Sequence, residues 1–562
     1  MSFFSAVKSL AKRNTYLKRE IYKYKFRSQQ PDWNSLLSKE ADFWKTARED
    51  VSGGQKVLIA TSVGSHLTGT RVESSLAAAL TLRGAQAEML LCDGVLPACL
   101  TCWYELFPDF RQFAASGPQK YYCRDCFKPA ERMFSSLNLP VLRYGDFLAP
   151  RDLQEIEYIS QKTAFADIPV YNIKGIAAGE HALAGALRFL ARGDLNNEPL
   201  AEPILRRFFK AALISAAAVE NLLSARHYDC AVFHHGIYVP QGLIGEVCRK
   251  HGVRVVNWNP GYKKHTFIFS HKDTYHHTMI SEPASKWEDI IWDAEKENRL
   301  MDYLESRRHG SNDWIWFHEK PVFSRKTLET QLKLDPKKPC IGLLTSVMWD
   351  AVLHYPSNAF SNMQDWLNST IEYFIRRPDL QLIIRIHPAE VTGALPSRQK
   401  VADEIKRKFP RLPEHIKVIL PGNKLSTYTL MSCCDNILIY STKSGIEFSA
   451  MGKTVIVAGE AWIKNKGFSL DAKDKKQYTA ILDSLPLSAG QNREAVLRAK
   501  KYAYHVFFRR FIPLPFIEPT KTGPLFEIRL NSLKELMPGE YKGLDVICNG
   551  ILKQSDFIFD SE

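Results

Sequence analysis

Apolar runs of strand length alternate with amphipathic stretches in two long series along this chain, and that alternation restricts the fold more than any other feature. "QKVLIATSV" (55–63) has the unbroken apolar character of a strand buried on both faces. A small-residue loop, "GSHLTGT", follows, then the helical stretch "RVESSLAAALTLRG" and a second strand, "QAEMLLCDG". The order returns in "YDCAVFHHG", "YVPQGLIGEVCRKHG" and "VRVVNWNPG". A second series opens at "KKPCIGLLTSV" (337–347) and runs on through "LQLIIRIHPAE", "HIKVILPG", "CCDNILIYS" and "KTVIVAG". Such alternation implies parallel sheets covered by helices. At 562 residues the chain is too long for one core. The expectation is α/β, with two Rossmann-like parallel-sheet domains facing a cleft.

Four segments follow. Residues 1–50 form a basic, amphipathic helical arm, and 51–330 an N-terminal Rossmann-like domain with a cysteine insertion at 92–130. Residues 335–485 form the C-terminal Rossmann-like domain, and 486–562 a helical segment and tail.

Charge is concentrated in the arm. Eight Lys or Arg and one Glu stand between Met1 and Gln30, half of the formal net charge of +14. Phe3, Val7, Leu10, Leu17, Ile21 and Tyr24 recur at helical steps, giving an apolar stripe on a basic helix suited to an anionic membrane surface. "YHVFFRRFIPLPF" (504–516) is a second basic, aromatic stretch for the same surface. No uninterrupted apolar run approaches ~18 residues, so no spanning helix is expected. The first twenty residues lack a secretory signal's apolar run, which makes the expected location cytoplasmic, peripheral at the inner membrane face.

Cys99-x2-Cys102 and Cys123-x2-Cys126, twenty residues apart, have the spacing of a tetrahedral thiolate site. Four closed sulfur ligands point to a structural Zn2+ in a ribbon-like insertion, in preference to an iron–sulfur cluster, with Cys92 as a spare ligand. Such a ribbon raises the alternative of a nucleic-acid binder. Residues 99–126 carry three basic and three acidic side chains, however, so no specific nucleic-acid partner is expected.

In open parallel sheets ligands bind beyond the carboxyl ends of the strands. His387 and Pro388 end the strand "LIIRI", with Pro388 fixing the turn that aims the imidazole. The turn "YSTKSGIE" ends another and supplies hydroxyls (Ser441, Thr442, Ser444), a cation (Lys443), close backbone approach (Gly445) and a carboxylate for ribose hydroxyls (Glu447). Lys464 and Lys466 follow the strand "TVIVAG". Together they suit a nucleotide mono- or diphosphate. The competing reading of 441–447 is an ordinary helix cap with Ser444 as N-cap. "GSHLTGTR" resembles a P-loop superficially but lacks its Gly-Lys-Ser/Thr ending.

The series "IIRIHPAE", "YSTKSGIEFSAMGKTVIVAG" and "NKGFSLD" resembles the capsule polysaccharide biosynthesis family, which includes bacterial Kdo transferases of GT-B architecture. The His-Pro and Ser/Thr motifs are also similar to those of bacterial sialyltransferases that use CMP-sugars. The likeness spans about residues 225–480. It implies that His387, Ser441 and Thr442 hold the donor nucleotide's phosphate, and that the chain is a glycosyltransferase acting on a polysaccharide or glycolipid acceptor, with a CMP-sugar favoured as donor. The cysteine insertion and the basic arm lie outside the family's core pattern.

Transfer in an inverting reaction needs a base for the acceptor hydroxyl. His234 and His235, at the end of a strand, and Asp350, after the second domain's first strand with His354 four residues on, are the candidates. Lys263, Lys264 and His265 form a cationic rim for an acidic or lipid-linked acceptor. A nucleotide-sugar epimerase or hydrolase of similar form is the alternative reading.

Overall fold

The apolar runs become strands, and the periodic stretches between them become the helices that cover the sheets. In chain order the first part contains β1 (Lys56–Ser62), α1 (Leu67–Thr81), β2 (Gln86–Leu91), α2 (Lys120–Ser136), β3 (Val141–Arg143), α3 (Ala201–Ala225), β4 (Cys230–His234), α4 (Gln241–Lys250), β5 (Arg254–Pro260) and β6 (Thr266–His271). The computed structural model describes residues 29–51, 53–315, 324–351, 358–487, 492–520 and 525–560, with Glu20, Ile21 and Tyr24. The chain divides into two units. Unit 1 takes residues up to 186, 198–275 and 511–559, and unit 2 takes 187–197, 276–510 and 560–562.

The sheet of unit 1 has the order β6–β5–β4–β1–β2–β3. Neighbours from β5 to β3 pair in parallel, and β6 is antiparallel to β5. The interior of β1 is fully buried from Val57 to Ser62, as a strand covered on both faces requires. Unit 2 contains β7 (Cys340–Leu344), α5 (Met363–Ile375), β8 (Gln381–Arg385), β9 (Ile416–Ile419), β10 (Asn436–Ile439), α6 (Ser444–Ala450), β11 (Thr454–Val457) and β12 (Leu470–Asp471). Among the described residues its sheet runs β12–β11–β10–β7–β8–β9, all parallel. Ile341, Leu343, Trp366, Leu382, Ile384, Leu438 and Ile456 form its core. Trp366 Nε1 donates to the Tyr478 hydroxyl at 2.9 Å, so the buried indole keeps a partner. β13 (Ile512–Pro513) then adds antiparallel to β6 in unit 1.

Two expectations change. The cysteine segment is not an inserted ribbon: it is the crossover from β2 to β3, with Cys123 and Cys126 on the seventeen-residue helix α2. Phe127, Ala130, Met133 and Phe134 give that helix an apolar stripe, which is buried. The stretch 504–516 is core, with Val506, Phe507, Phe508, Phe511, Leu514 and Phe516 all buried, so it offers no membrane surface. The helix α3 is long and apolar enough to cross a membrane by length and composition, but it packs on α4 with Phe208, Phe209, Leu213 and Val219 buried.

Most of the basic stripe, Phe3 to Leu17 included, lies outside the described residues, as does His354. From Trp33 onward the segment read as the arm docks on unit 1: Trp33 and Trp44 are buried, and Trp44 Nε1 donates to the Leu137 carbonyl at 2.8 Å.

Candidate functional site

In unit 2 the strand order reverses between β7 and β10, the kind of position beyond whose strand ends open α/β sheets bind ligands. Leu344 pairs with Ile439 at this edge. Two residues past each, Ser346 Oγ lies 3.4 Å from Ser441 Oγ. On the other side of β7, the Thr345 hydroxyl accepts the His387 N–H at 3.1 Å. Ala389 N–H donates to His387 Nδ1 at 3.1 Å, in the turn that Pro388 fixes. With Nδ1 as acceptor, the neutral ring carries its proton on Nε2 and presents a donor there. Thr442 Oγ1 is 3.5 Å from Ser444 Oγ. The structure thus brings His387, Ser441 and Thr442 to one edge and adds Ser346 and Thr345.

The strand's other unusual residue, Arg385, is structural. Its buried guanidinium donates to the Leu420 carbonyl at 2.7 Å and the Asn423 carbonyl at 3.3 Å, and burial lowers its pKa to about 10. Glu390 is likewise buried and accepts the Val401 N–H at 2.9 Å.

The remaining donor-side residues divide. Lys443 is the N-cap position of α6, ahead of Ser444, and makes no side-chain cap. Its Nζ lies 4.5 Å from the Trp462 ring centroid, and burial lowers its pKa to about 7. Gly445 is buried where a Cβ would meet Ile439 Cδ1 at 2.7 Å, so the helix packs against the end of β10 only without a side chain. Glu447 is committed inside the unit: Oε2 accepts the Tyr428 hydroxyl at 2.5 Å and Oε1 faces Arg307 Nη2 at 3.1 Å. Arg307 also pairs with Asp313 at 2.6 Å. Lys464 forms a buried ion pair with Glu460 at 3.0 Å. Lys466 donates to the Ile280 and Glu282 carbonyls, and burial lowers its pKa to about 8. Asp350 is exposed in the turn after β7.

Unit 1 repeats the arrangement. Its order reverses between β1 and β4, and the side chains beyond those strands are aromatic and basic. The His66 and His234 rings stand 4.4 Å apart, His234 and His235 5.4 Å, and His235 and Tyr238 5.1 Å. His235 is in the left-handed region at φ 64°, uncommon for a residue with a side chain. At Gly236 a Cβ would meet Asn257 Nδ2 at 2.8 Å, which keeps this turn closed on β5. Beneath lies Glu73, fully buried, accepting from Trp258 Nε1 at 2.9 Å. Burial lifts its carboxyl to about 7. The rim residues lie in the turn from β5 to β6. His265 Nδ1 donates to the Ile517 carbonyl at 2.9 Å and the Lys263 carbonyl accepts from Thr266, so part of this turn is held internally; Lys264 is half-buried.

The five cysteines from Cys92 to Cys126 line a single cavity of about 40 Å³. Cys99 ionises ahead of its neighbour because the Cys102 thiol donates to it, and Cys102 is correspondingly pushed up. Burial and then the charge of Cys99 push Cys123 up to about 12 and Cys126 to about 11. Among the described residues, no three His, Cys, Asp or Glu are grouped so as to hold a metal ion as they stand. The preformed four-sulfur zinc cage expected from the spacing is therefore not seen.

Ser346, Thr345, His66 and Glu73 escaped the sequence reading. A signal existed for two of them: "LLTS" at the end of β7 mirrors "IYST" at the end of β10, an apolar strand closing on two hydroxyls. Glu73 sits in the middle of a helix and carries no such mark.

The two sheets, each with a switch-point cluster beyond its carboxyl edge, define a double Rossmann-type α/β protein. Residues 324–495 match the family model described as capsule polysaccharide biosynthesis protein, so this segment resembles that family. None of the curated proteins matches the chain. Solved structures resemble it at low identity. The Thermosulfurimonas dismutans KpsC β-Kdo 2,4 transferase aligns at 15% identity over 49% of this chain and 79% of its own, with a TM-score of 0.33. The Methanocaldococcus jannaschii UDP-GlcNAc 2-epimerase aligns at 13% over 80% and 100%, with a TM-score of 0.27. The glycotransferase of kitacinnamycin aligns at 11% over 80% and 95%, with a TM-score of 0.22. Likenesses this weak carry no argument about function.

Proposed function

We propose that the chain is a glycosyltransferase of GT-B type that takes a sugar from a nucleotide-activated donor, a CMP-sugar in preference to others, for a polysaccharide or glycolipid acceptor. The observation that carries this reading is the Ser346–Ser441 pair beside His387 at the switch point of a unit matching the capsule polysaccharide family. Hydroxyls and a ring N–H are donors, and a phosphate offers only acceptors at neutral pH, so the two match. As the glycosidic bond to phosphate breaks, negative charge grows on the leaving phosphate, and His387 Nε2–H together with the hydroxyls stabilises it there.

The acceptor is assigned to unit 1. His234 or His235 takes the proton of the attacking hydroxyl, and Lys263 and Lys264 meet an acidic acceptor. Asp350 is the rival base. Glu73 acts beneath this cluster as a positioning residue, through Trp258. The basic residues before Gln30 hold the enzyme at an anionic, cytoplasmic membrane surface, zinc serves as a structural ion in unit 1, and nucleic acid is not a partner. Incubation with CMP-, UDP- and GDP-sugars and capsular oligosaccharides, read by mass spectrometry, tests the proposal. It predicts glycan lengthened by one sugar with release of one nucleotide, and a donor converted with no change in the glycan would favour the epimerase or hydrolase reading.

A further inference from the structure

A cavity of about 310 Å³ in unit 1 serves neither the donor edge nor the histidine cluster. Its size is near the lower end of small-molecule sites, roughly 300–1,000 Å³, and suits one sugar ring. The walls come from residues 29–36, from Arg71 on α1 and from residues 527–530, with Thr520. Arg71 stands two residues before Glu73, about 200° round the helix. The cavity therefore lies on the side of α1 turned away from the Glu73–Trp258 contact.

Several polar atoms of the lining residues are left without partners, which is rare for buried groups. Arg71 is 5% exposed; Nη2 donates to the Gln29 carbonyl, while Nη1 is buried with no acceptor. Burial lowers its pKa to about 10 against the opposing charge of Glu527, so it is a cation at neutral pH. Gln29 Oε1, Gln30 Oε1 and Trp33 Nε1 are unpartnered as well. Gln30 donates Nε2 to the Gly64 carbonyl at 2.9 Å, which fixes the amide and leaves its oxygen as acceptor. Both acids of the lining are already engaged. Asp32 accepts the Ser35 N–H at 3.2 Å, and Glu527 accepts from Arg529 Nη2 at 2.8 Å.

We infer that this cavity binds one carboxylate-bearing sugar, with its carboxylate on Arg71 and its hydroxyls on Gln29, Gln30 and Trp33. The one guanidinium nitrogen left over by the Gln29 carbonyl matches a monoanion. A phosphate monoester carries nearly two charges at neutral pH and would be repelled by the Glu527 carboxylate that acts on the same arginine. Sugar hydroxyls both donate and accept, so they satisfy amide oxygens and an indole N–H together. A bare anion answers only the arginine, and a neutral sugar only the amides and the indole. The inference does not rest on the glycosyltransferase reading, because binding is measured without a donor.

The full chain is titrated calorimetrically with glucuronate, glucose, acetate and inorganic phosphate, and hydrogen exchange is followed over residues 29–37 and 526–530. Glucuronate is expected to bind at least about tenfold more tightly than each of the other three, and to slow exchange in both stretches. Arg71→Met weakens its binding by about tenfold or more, whereas Glu527→Gln removes a like charge and tightens it by about two- to threefold. The second variant keeps the test decisive if the first fails to fold. A hyaluronan tetrasaccharide with glucuronate at its non-reducing end distinguishes the sources of such a sugar. Affinity at least equal to that of free glucuronate assigns the cavity to the end of a glycan chain, and weaker binding assigns it to a free sugar acid. No binding of glucuronate at millimolar concentration would overturn the inference. So would any of the three controls binding as well as glucuronate, or an affinity unchanged or weakened in Glu527→Gln.

Discussion

Ser346 and Ser441 come from strands separated by nearly a hundred residues of sequence, yet their hydroxyl oxygens stand 3.4 Å apart across the point where the order of unit 2's sheet reverses. Parallel pairing of β7 with β10 in the register Leu344 to Ile439 puts them there. Two hydroxyls that close, with a ring N–H nearby, form a donor cluster that an anion completes.

If both serines hold the same phosphate, Ser346→Ala and Ser441→Ala each weaken nucleotide binding by about tenfold, the size of one hydrogen bond to a charged group. The double variant loses less than the product of the two. Strictly additive losses measured by calorimetry would mean that the hydroxyls serve separate groups.

Glu447 yields the opposite prediction. With Arg307, Tyr428 and Asp313 it belongs to a buried charged network, so Arg307→Met strands its carboxylate and costs roughly 3–5 kcal/mol in denaturant unfolding. Nucleotide affinity of the folded fraction stays within about twofold of wild type. A stable variant that has lost nucleotide would return Glu447 to the ligand.

Glu73 makes the stability of unit 1 depend on pH. Its carboxyl titrates near 4.5 when unfolded and near 7 in the fold. Between these values the folded state keeps a proton that the unfolded chain has released, so stability falls as pH rises through this window. Glu73→Gln keeps an acceptor for Trp258 and removes the dependence. It gains on the order of 3 kcal/mol near pH 8 and close to nothing near pH 4. Thermal melts at the two pH values check this, and equal shifts at both would show that the Glu73 carboxyl titrates alike in the folded and unfolded chain.

Much of the fold was legible because parallel strands buried on both faces leave long apolar runs: "KVLIATS" and "CAVFH" mark β1 and β4, and "CIGLL" and "LIIR" mark β7 and β8. Residues at strand ends inherit that legibility, so the sequence places His387, Ser441 and His234 at the carboxyl edges where the structure has them. Polar residues behind the edge do not. Lys464, Lys466 and Glu447 have the composition of ligands, but Glu460, the backbone of residues 280–282 and Arg307 occupy them, and pairings so distant in sequence leave no local pattern. The cysteine spacing reads as a zinc ribbon; the thiols do line one cavity, but among the described residues they are not grouped so as to hold a metal, and the segment is a helical crossover. The apolar stripe from Phe127 to Phe134 is what makes the second pair helical.

The most direct measurement is calorimetric titration of CMP, CDP, UMP, UDP, GDP and ADP into the full chain and into His387→Ala. The account predicts micromolar binding of one nucleotide, cytidine-based if the donor is a CMP-sugar, and loss of at least tenfold in the variant with an unchanged melting temperature. Binding of none of them, or equal binding by wild type and variant, would contradict it.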